Sequence, residues 1–282
     1  MEESDRPLHQ SVQTLLEEAL PGEDAYGVVR RKARAVVASH RPFWTGPPFC
    51  PEALADLEGI IVQKAPCDIH SDGRIFSIGD QVYIQYADRQ SEERVRFTIC
   101  HELAHTLFGD CYKRERRRSA AERAEWEFED LCNSAASEFL FPSEEFSADM
   151  GDGRLNAGRI RDLAARYKAS VDATARRYVG LCKTAACVLF AEYREPAAGK
   201  VVSLFAQYAV PNEKFAQKFY KGFKINSKSI ANRAYKEQQA LGARSESWNM
   251  AGKWNKFQVE VIPLPKFQSK GTADLAIVLY PG

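Results

Sequence analysis

The residues with the clearest chemical potential are His101, Glu102 and His105, in the pattern His101-Glu102-Leu103-Ala104-His105. On a helix, side chains four residues apart lie on the same face, so both imidazoles can reach one metal ion. Two neutral imidazoles make half of a tetrahedral zinc site, and Glu102, one step around the helix, can take a proton from an attacking water. The pattern therefore predicts part of a catalytic Zn²⁺ site with Glu102 as general base.

The third ligand must come from elsewhere, because a catalytic zinc usually has three protein ligands and one open position. No histidine follows His105, so the third ligand is expected to be a downstream carboxylate or thiolate. A helix predicted over residues 119–141 carries the candidate carboxylates, which are Glu122, Glu125, Glu127, Glu129, Asp130 and Glu138.

Helical phase favours Glu129 among these candidates. Glu129 precedes Cys132 and Ala136 on the predicted buried stripe of this helix. Glu127, Asp130 and Glu138 are expected to turn away from that stripe. Glu122 and Glu125 share the phase of Glu129 but lie nearer the charged run over residues 113–118. We therefore predict Glu129 as the third ligand, with Asn133 one turn later receiving the spare ring N–H of a ligand histidine.

The elements that position these residues are predicted from periodicity and caps. Ser91, followed by two glutamates, starts the motif helix, which should run to about residue 108. Ser119-Ala-Ala-Glu122 is a capping box that starts the second helix. The other predicted N-terminal elements are helices over 8–20, 23–40 and 51–58 and a small antiparallel sheet of strands 60–64, 74–78 and 82–86.

Two further helices are predicted over residues 154–168 and 171–182, with Ser170 capping the second. From about residue 184 the pattern changes to strands at 187–193, 201–208, 257–262 and 275–280, with helical stretches near 211–222 and 228–240. The expected fold class is α+β, with a metallopeptidase domain over 1–150, a helix-turn-helix-like segment over 151–183 and a C-terminal α+β domain over 184–282.

Composition excludes several classes of protein. The chain has 282 residues, a hydrophobic fraction of 45%, a charged fraction of 27% and a net charge of +1. These values are typical of a globular protein and predict no bulk attraction to nucleic acid or anionic membranes. Seven scattered cysteines without a C-x-x-C pair indicate reduced thiols, and the N-terminus lacks a signal-peptide pattern. We expect a cytoplasmic protein without a membrane partner.

Two motifs resemble the ImmA/IrrE family of zinc metallopeptidases. Residues 94–105 are similar to the family pattern R-x-x-F-T-x-x-H-E-x-x-H, and residues 129–142 are similar to E-x-x-A-N-x-F-A-A-x-L-L-M-P. The resemblance covers roughly residues 45–182. It implies zinc held by His101, His105 and Glu129, with Glu102 as general base. Cys132 stands where the family commonly has alanine, at a position expected to matter for packing.

The resemblance implies regulatory proteolysis of a narrow protein substrate in a stress response, the substrate being a helix-turn-helix transcriptional repressor. The C-terminal domain is then expected to sense a signal or dock a partner, or else to complete the fold. Tyr86, Tyr112, His70 and nearby arginines are candidates for stabilising the oxyanion of the tetrahedral intermediate, and no feature of the sequence selects among them.

Two other interpretations remain open at this stage. In the first, the chain is a DNA-binding regulator with a structural or secondary zinc site, because residues 163–177 suggest two helices around a tight turn and Arg176, Arg177 and the run 113–118 are basic. In the second, Cys50 or Cys67 is a fourth zinc ligand that silences the enzyme until it is oxidised.

Overall fold

The structure is a computed structural model that describes residues 9–66, 69, 71–109, 122–194, 203–250, 252–264 and 273–282. Contacts divide the chain into two compact units: unit 1 comprises residues 1–148 and 166–169, and unit 2 comprises residues 149–165 and 170–282. The described part combines helices with a three-stranded and a five-stranded sheet, so the predicted α+β class is confirmed.

The first half of the chain follows the predicted order of elements. They are α1 (Gln10–Leu16), α2 (Ala25–His40), α3 (Pro51–Leu57), β1 (Ile60–Lys64), β2 (Gly73–Ile78), β3 (Gln81–Tyr86), α4 (Glu92–Ala104), a 3₁₀ turn (His105–Leu107) and α5 (Glu122–Leu140). A further helix, α6 (Ser143–Met150), is absent from the sequence prediction. Pro142 ends one helix and equally suits the start of the next, so its meaning was ambiguous.

The three-stranded sheet is mixed, which corrects the prediction of a small antiparallel sheet. β3 lies in the centre, antiparallel to β2 and parallel to β1. It is also the most buried of the three strands, with Ile84 fully buried and Gln85 nearly so. Because the most buried strand takes the centre, β1 and β2 occupy the edges although they precede β3 in the chain.

The helix that carries the motif is capped as predicted. The Ser91 side chain accepts a hydrogen bond from the backbone N–H of Arg94, and Glu92 and Glu93 lie in the first turn, where the helix dipole favours negative charge. Ile99, Cys100 and other apolar side chains of α4 are fully buried. The predicted capping residue of α5, Ser119, and the basic run 113–118 lie outside the described part of the chain.

The remaining elements belong to unit 2, except for the last residues of the helix over 157–167, which belong to unit 1. They are α7 (Ala157–Tyr167), α8 (Val171–Leu181), β4 (Cys187–Arg194), β5 (Ser203–Pro211), α9 (Ile230–Glu237), β6 (Leu241–Met250), β7 (Lys253–Pro263) and β8 (Leu275–Pro281). The five strands form an antiparallel sheet in the order β5-β4-β8-β7-β6. Ser170 caps α8 as predicted, accepting from the N–H of Ala173.

The prediction of a helix near residues 211–222 is wrong. Phe215, Phe219 and Phe223 recur at helical spacing, but they pack in or against the apolar core of unit 2 from an irregular segment. The end of that segment pairs with β5, since the N–H of Gly222 donates to Ala206 O at 2.8 Å and Ile225 N–H donates to Leu204 O at 2.9 Å. β6 is absent from the prediction because six of its ten residues are exposed and only Trp248 is buried, so it lacks an apolar strand pattern.

None of the helices in the described ranges is both long enough and apolar enough to cross a lipid bilayer.

A buried arginine ties α4 to other segments of unit 1. Arg96 is only 7% exposed, and its guanidinium donates to the carbonyl oxygens of Phe49 at 2.5 Å and Lys168 at 3.1 Å, with Tyr167 O at 3.5 Å. On the same helix, Arg94 is about half exposed and pairs with Asp72. The Arg96 guanidinium makes buried hydrogen bonds to backbone carbonyls of other segments, so it should matter far more for stability than the exposed Arg94.

We expect Arg96→Ala to lower the free energy of unfolding by about 2–4 kcal/mol, because it removes charge-assisted hydrogen bonds to buried backbone carbonyl oxygens. Arg94→Ala, which removes an exposed ion pair, should cost less than about 1 kcal/mol. Urea unfolding followed by circular dichroism checks both variants. Equal losses in the two would contradict a special structural role for Arg96.

Candidate metal centre

The motif residues converge in space as the sequence predicts. His101, Glu102 and His105 place their nitrogen and oxygen atoms within 4.8 Å of one another, a combination that can hold a metal ion. The two imidazoles are nearly perpendicular, with ring centroids 5.0 Å apart, and His105 Nε2 lies 3.8 Å from Glu102 Oε2. His105 is the residue immediately after α4, so the group sits at the end of the helix.

Helix α5 contacts both nitrogens of His101. Glu129 Oε2 lies 3.0 Å from His101 Nε2, and Asn133 Oδ1 lies 3.0 Å from His101 Nδ1. With Nδ1 donating to the amide oxygen of Asn133, the lone pair of Nε2 is available on the side where the Glu129 carboxylate lies. The structure thus brings together all five predicted site residues, while their roles as ligands and positioning groups stay predictions.

The donor set fits a zinc ion. Two imidazoles and a carboxylate are ligands that Zn²⁺ uses in catalytic sites. The 3.0 Å between His101 Nε2 and Glu129 Oε2 is close to the roughly 3.3 Å edge of a tetrahedron whose metal–ligand bonds are about 2 Å. Glu129 keeps a side-chain exposure of 36% and His101 of 17%, so the group is open on one side.

The other candidate carboxylates have different surroundings. Glu125 lies 3.7 Å from the Nε2 of His9, Asp130 accepts a hydrogen bond from the Tyr26 hydroxyl, and Glu127 is exposed. Glu138 is buried rather than turned outward, because it accepts the backbone N–H and the hydroxyl of Ser143, both at 2.9 Å. The side chain of Glu122 lies outside the described part. Among the described candidates, Glu129 lies against a motif histidine, His101.

Cys132 and Phe128 fix the second histidine. Cys132 Sγ lies 3.2 Å from His105 Nδ1, and both side chains are almost completely buried. The ring of Phe128 stacks on the His105 ring with centroids 5.4 Å apart. The Cys132 thiol thus contacts the ring nitrogen of His105 that faces away from Glu102.

The first residue of β2 is packed directly against the predicted base. A Cβ atom at Gly73 would lie 2.4 Å from Thr98 Cγ2 and 3.0 Å from Glu102 Oε1. Thr98 in turn donates to Gln90 Oε1 at 2.8 Å. The first sequence motif includes Thr98 but indicates no role for it, and neither motif includes Gly73, because the proximity of both residues to Glu102 depends on how β2 packs against α4.

The pKa of His101 in the metal-free chain is raised. Burial alone would lower the pKa, but the carboxylates of Glu129 and Glu102 and the amide of Asn133 favour the protonated ring and outweigh burial. A proton and a metal ion therefore compete for the same ring nitrogen, and metal binding should release a proton.

Other predicted site residues lie elsewhere or outside the described part. The Cys50 thiol donates to Glu52 at 3.2 Å and lines a separate cleft of about 630 Å³ with Arg96, so it is not in the motif group. Tyr86 pairs with Gly73 across the sheet and lines the same cleft. His70, Cys67 and Tyr112 are outside the described residues.

Of the arginines of α8 that suggested DNA binding, Arg176 is engaged within unit 2 and Arg177 is buried. Arg176 pairs with Asp172 at 2.7 Å and lies over the ring of Tyr208 at 4.9 Å. Arg177 is 9% exposed. Neither guanidinium extends freely from α8, so the two-helix segment gives no specific support to a DNA-binding function.

Comparison with protein families gives a match over the motif region. Residues 58–178 match the model of the peptidase family M78, described as the IrrE N-terminal-like domain. The matched segment contains both motifs and extends into α8. Among curated proteins, no sequence matches the chain.

Comparison with solved structures gives a similar fold at low sequence identity. A Mycobacterium tuberculosis transcriptional regulator matches with a TM-score of 0.55 and 13% identity, over 89% of this chain and 75% of the other. At this level of identity the similarity concerns the fold alone.

We expect Glu129→Ala to weaken zinc affinity at least about a hundredfold, because losing a ligand should exceed the roughly 10–100-fold that losing a ligand's partner costs. Glu127→Ala on the same helix is the matched control, since Glu127 is exposed. Competition with a chromophoric chelator measures both affinities. Unchanged zinc affinity without Glu129 would remove it from the ligand set.

For Cys132, we expect substitution by alanine to weaken zinc affinity about tenfold, because His105 Nδ1 loses its partner and the ring can turn. Cys132→Ser restores a hydrogen-bonding group and should stay within a few-fold of the natural protein. Equal affinities in both variants would show that Cys132 only fills space. Replacing zinc by Co²⁺ provides a second measurement, since its absorption spectrum reports the ligand geometry.

Proposed function

We propose that this chain, whose residues 58–178 belong to the IrrE N-terminal-like family of peptidases, is a zinc-dependent endopeptidase that cleaves a regulatory protein. The family match confirms the resemblance drawn from the two motifs. The observation that carries the proposal is the convergence of His101, Glu102 and His105 with the Glu129 carboxylate, 3.0 Å from the ring nitrogen that would bind the metal.

Each residue of the group has a proposed task. His101, His105 and Glu129 would hold the ion, which would supply Lewis acidity to polarise the scissile carbonyl and to acidify the attacking water. Glu102 accepts the proton of that water on a carboxylate oxygen and transfers it to the leaving amine. Asn133 keeps the proton of His101 on Nδ1, so that Nε2 faces the ion.

The surroundings of Glu102 favour a peptide in extended conformation. β2 is an edge strand in the described sheet, and its first residue, Gly73, lies against Glu102. Ser77 and Ile78 at the other end of the strand are exposed. An extended segment can add to such an edge through backbone hydrogen bonds, which would bring a peptide bond alongside the base.

We propose a helix-turn-helix transcriptional repressor as the substrate. The family resemblance supports this choice, and the fold neighbour described as a transcriptional regulator is consistent with a role in gene regulation. We assign the peptidase to residues 1–150, a connecting helical segment to 151–183 and a sensor or docking role to 184–282.

We expect Glu102→Gln to lower the rate of cleavage about 10²–10⁴-fold while zinc stays bound, because the amide can neither accept nor deliver the proton. Glu93→Gln, in the first turn of the same helix, is the matched control and should cleave at the normal rate. Purified helix-turn-helix repressors from the same genome are incubated with each variant, and products are identified by mass spectrometry.

Two outcomes separate the parts of the proposal. Full cleavage by Glu102→Gln would contradict its role as base. Cleavage of an unstructured protein such as casein, with none of any repressor, would support the peptidase and overturn the substrate class.

A further inference from the structure

Unit 2 contains a basic cleft beside α9. It has a volume of about 320 Å³, and four of its lining residues are the cations Lys228, Arg233, Lys236 and Arg244. All four are exposed. The cations come from a loop, a helix and a strand of one compact unit, so the fold itself gathers them around one concavity.

The cations of this cleft are poorly neutralised. Arg233 has an acidic neighbour in Glu237, 3.8 Å away on the same helix. Lys228, Lys236 and Arg244 form no ion pair with a residue of the described ranges. The nearby carboxylate of Glu246 accepts from the backbone N–H of Ile230 at 2.7 Å and from the indole of Trp248 at 2.8 Å. Four like charges facing one concavity repel one another, and an anion between them would relieve that repulsion.

The site consists of side chains rather than a helix end. The first N–H groups of α9 already have acceptors, because Glu246 receives the N–H of Ile230 and the Ser229 hydroxyl receives that of Ala231. An anion in this cleft would therefore bind to ammonium and guanidinium groups. Guanidinium forks match phosphate oxygens in two-bond geometry, and lysine acts as a point charge.

The surrounding sequence adds to the positive potential. Residues 212–244 contain eight lysines and arginines against two glutamates, although the whole chain has a net charge of only +1. The aromatic rings of Phe215 and Phe223 are buried in the core. Among the aromatic side chains of this segment, only that of Tyr220 is largely exposed. The segment thus offers charge but few rings on which nucleic-acid bases could stack.

We propose that the cleft beside α9 binds a compact ligand carrying a di- or triphosphate group. A volume near 320 Å³ is at the small end for ligand sites, and a polar, cationic lining suits a phosphate chain better than an apolar body. The proposal gives the sensor role of unit 2 a chemical class of signal. It depends on residues outside the metal centre, so the peptidase proposal and this one can fail independently.

The test uses the full-length zinc-loaded protein and inorganic tripolyphosphate in calorimetric titrations, with zinc content measured before and after. We expect saturable binding with one site per chain, weakening as salt is added. Lys236→Ala/Arg244→Ala should bind at least about tenfold more weakly, because two charge-assisted contacts are lost. Arg161→Ala/Lys253→Ala removes one lysine and one arginine from exposed positions outside the cleft lining and should change affinity less than about twofold.

Further titrations identify the source of the phosphate. Binding of a nucleoside triphosphate with the same sensitivity to Lys236→Ala/Arg244→Ala supports a free ligand. Binding of phosphatidylinositol bisphosphate vesicles, with that sensitivity, supports a lipid headgroup. Absence of tripolyphosphate binding, or equal weakening in both double variants, overturns the proposal. Binding of a DNA duplex without binding of tripolyphosphate also overturns it and assigns the surface to nucleic acid.

Discussion

Both ring nitrogens of His101 are held by a single turn of α5, and the geometry of the candidate metal centre depends on this attachment. Glu129 and Asn133 are four residues apart, so they lie on one face of the helix and contact the two nitrogens of the same rigid ring. That contact fixes the position of α5 along α4. Phe128 and Cys132, the residues immediately before Glu129 and Asn133, then meet the ring of His105. One helix register therefore orients both histidines.

The sheet imposes a second constraint on the same group. Glu102 is 8% exposed and sits against the start of β2, where any residue with a Cβ would collide with Thr98 and crowd the carboxylate. A glycine at position 73 allows helix and strand to approach closely. Because burial of a carboxylate is costly, the sheet and the helix must hold this group in a defined position rather than leave it loosely packed. The structure thus surrounds the base with a strand edge on one side and the second imidazole on the other.

Local signals were sufficient for the elements and caps near the site, because Ser91 and the helical phase of Glu129 are read within a few residues. Contacts between residues that are far apart in the chain could not be predicted from the sequence. The parallel pairing of β1 with β3 places Ile60 opposite Val82, which lie far apart in the sequence, and Cys132 meets His105 only through the register of α5 on α4. The false helix near 211–222 shows the converse. Its phenylalanine spacing is helical, but pairing with β5 and packing in the core determine the backbone.

Total charge was a poor guide to electrostatics for the same reason. A net charge of +1 excludes a strong field around the whole molecule, yet it gives no information on how charges are distributed. Exposed charges interact mainly within about 8–10 Å at physiological salt, so the cations of one cleft act on a ligand while acidic residues farther away are screened. The four cations that line the α9 cleft lie between Lys228 and Arg244 in the sequence. A loop, a helix and a strand place them around one cleft. A local surplus can therefore select an anion in a protein that is nearly neutral overall.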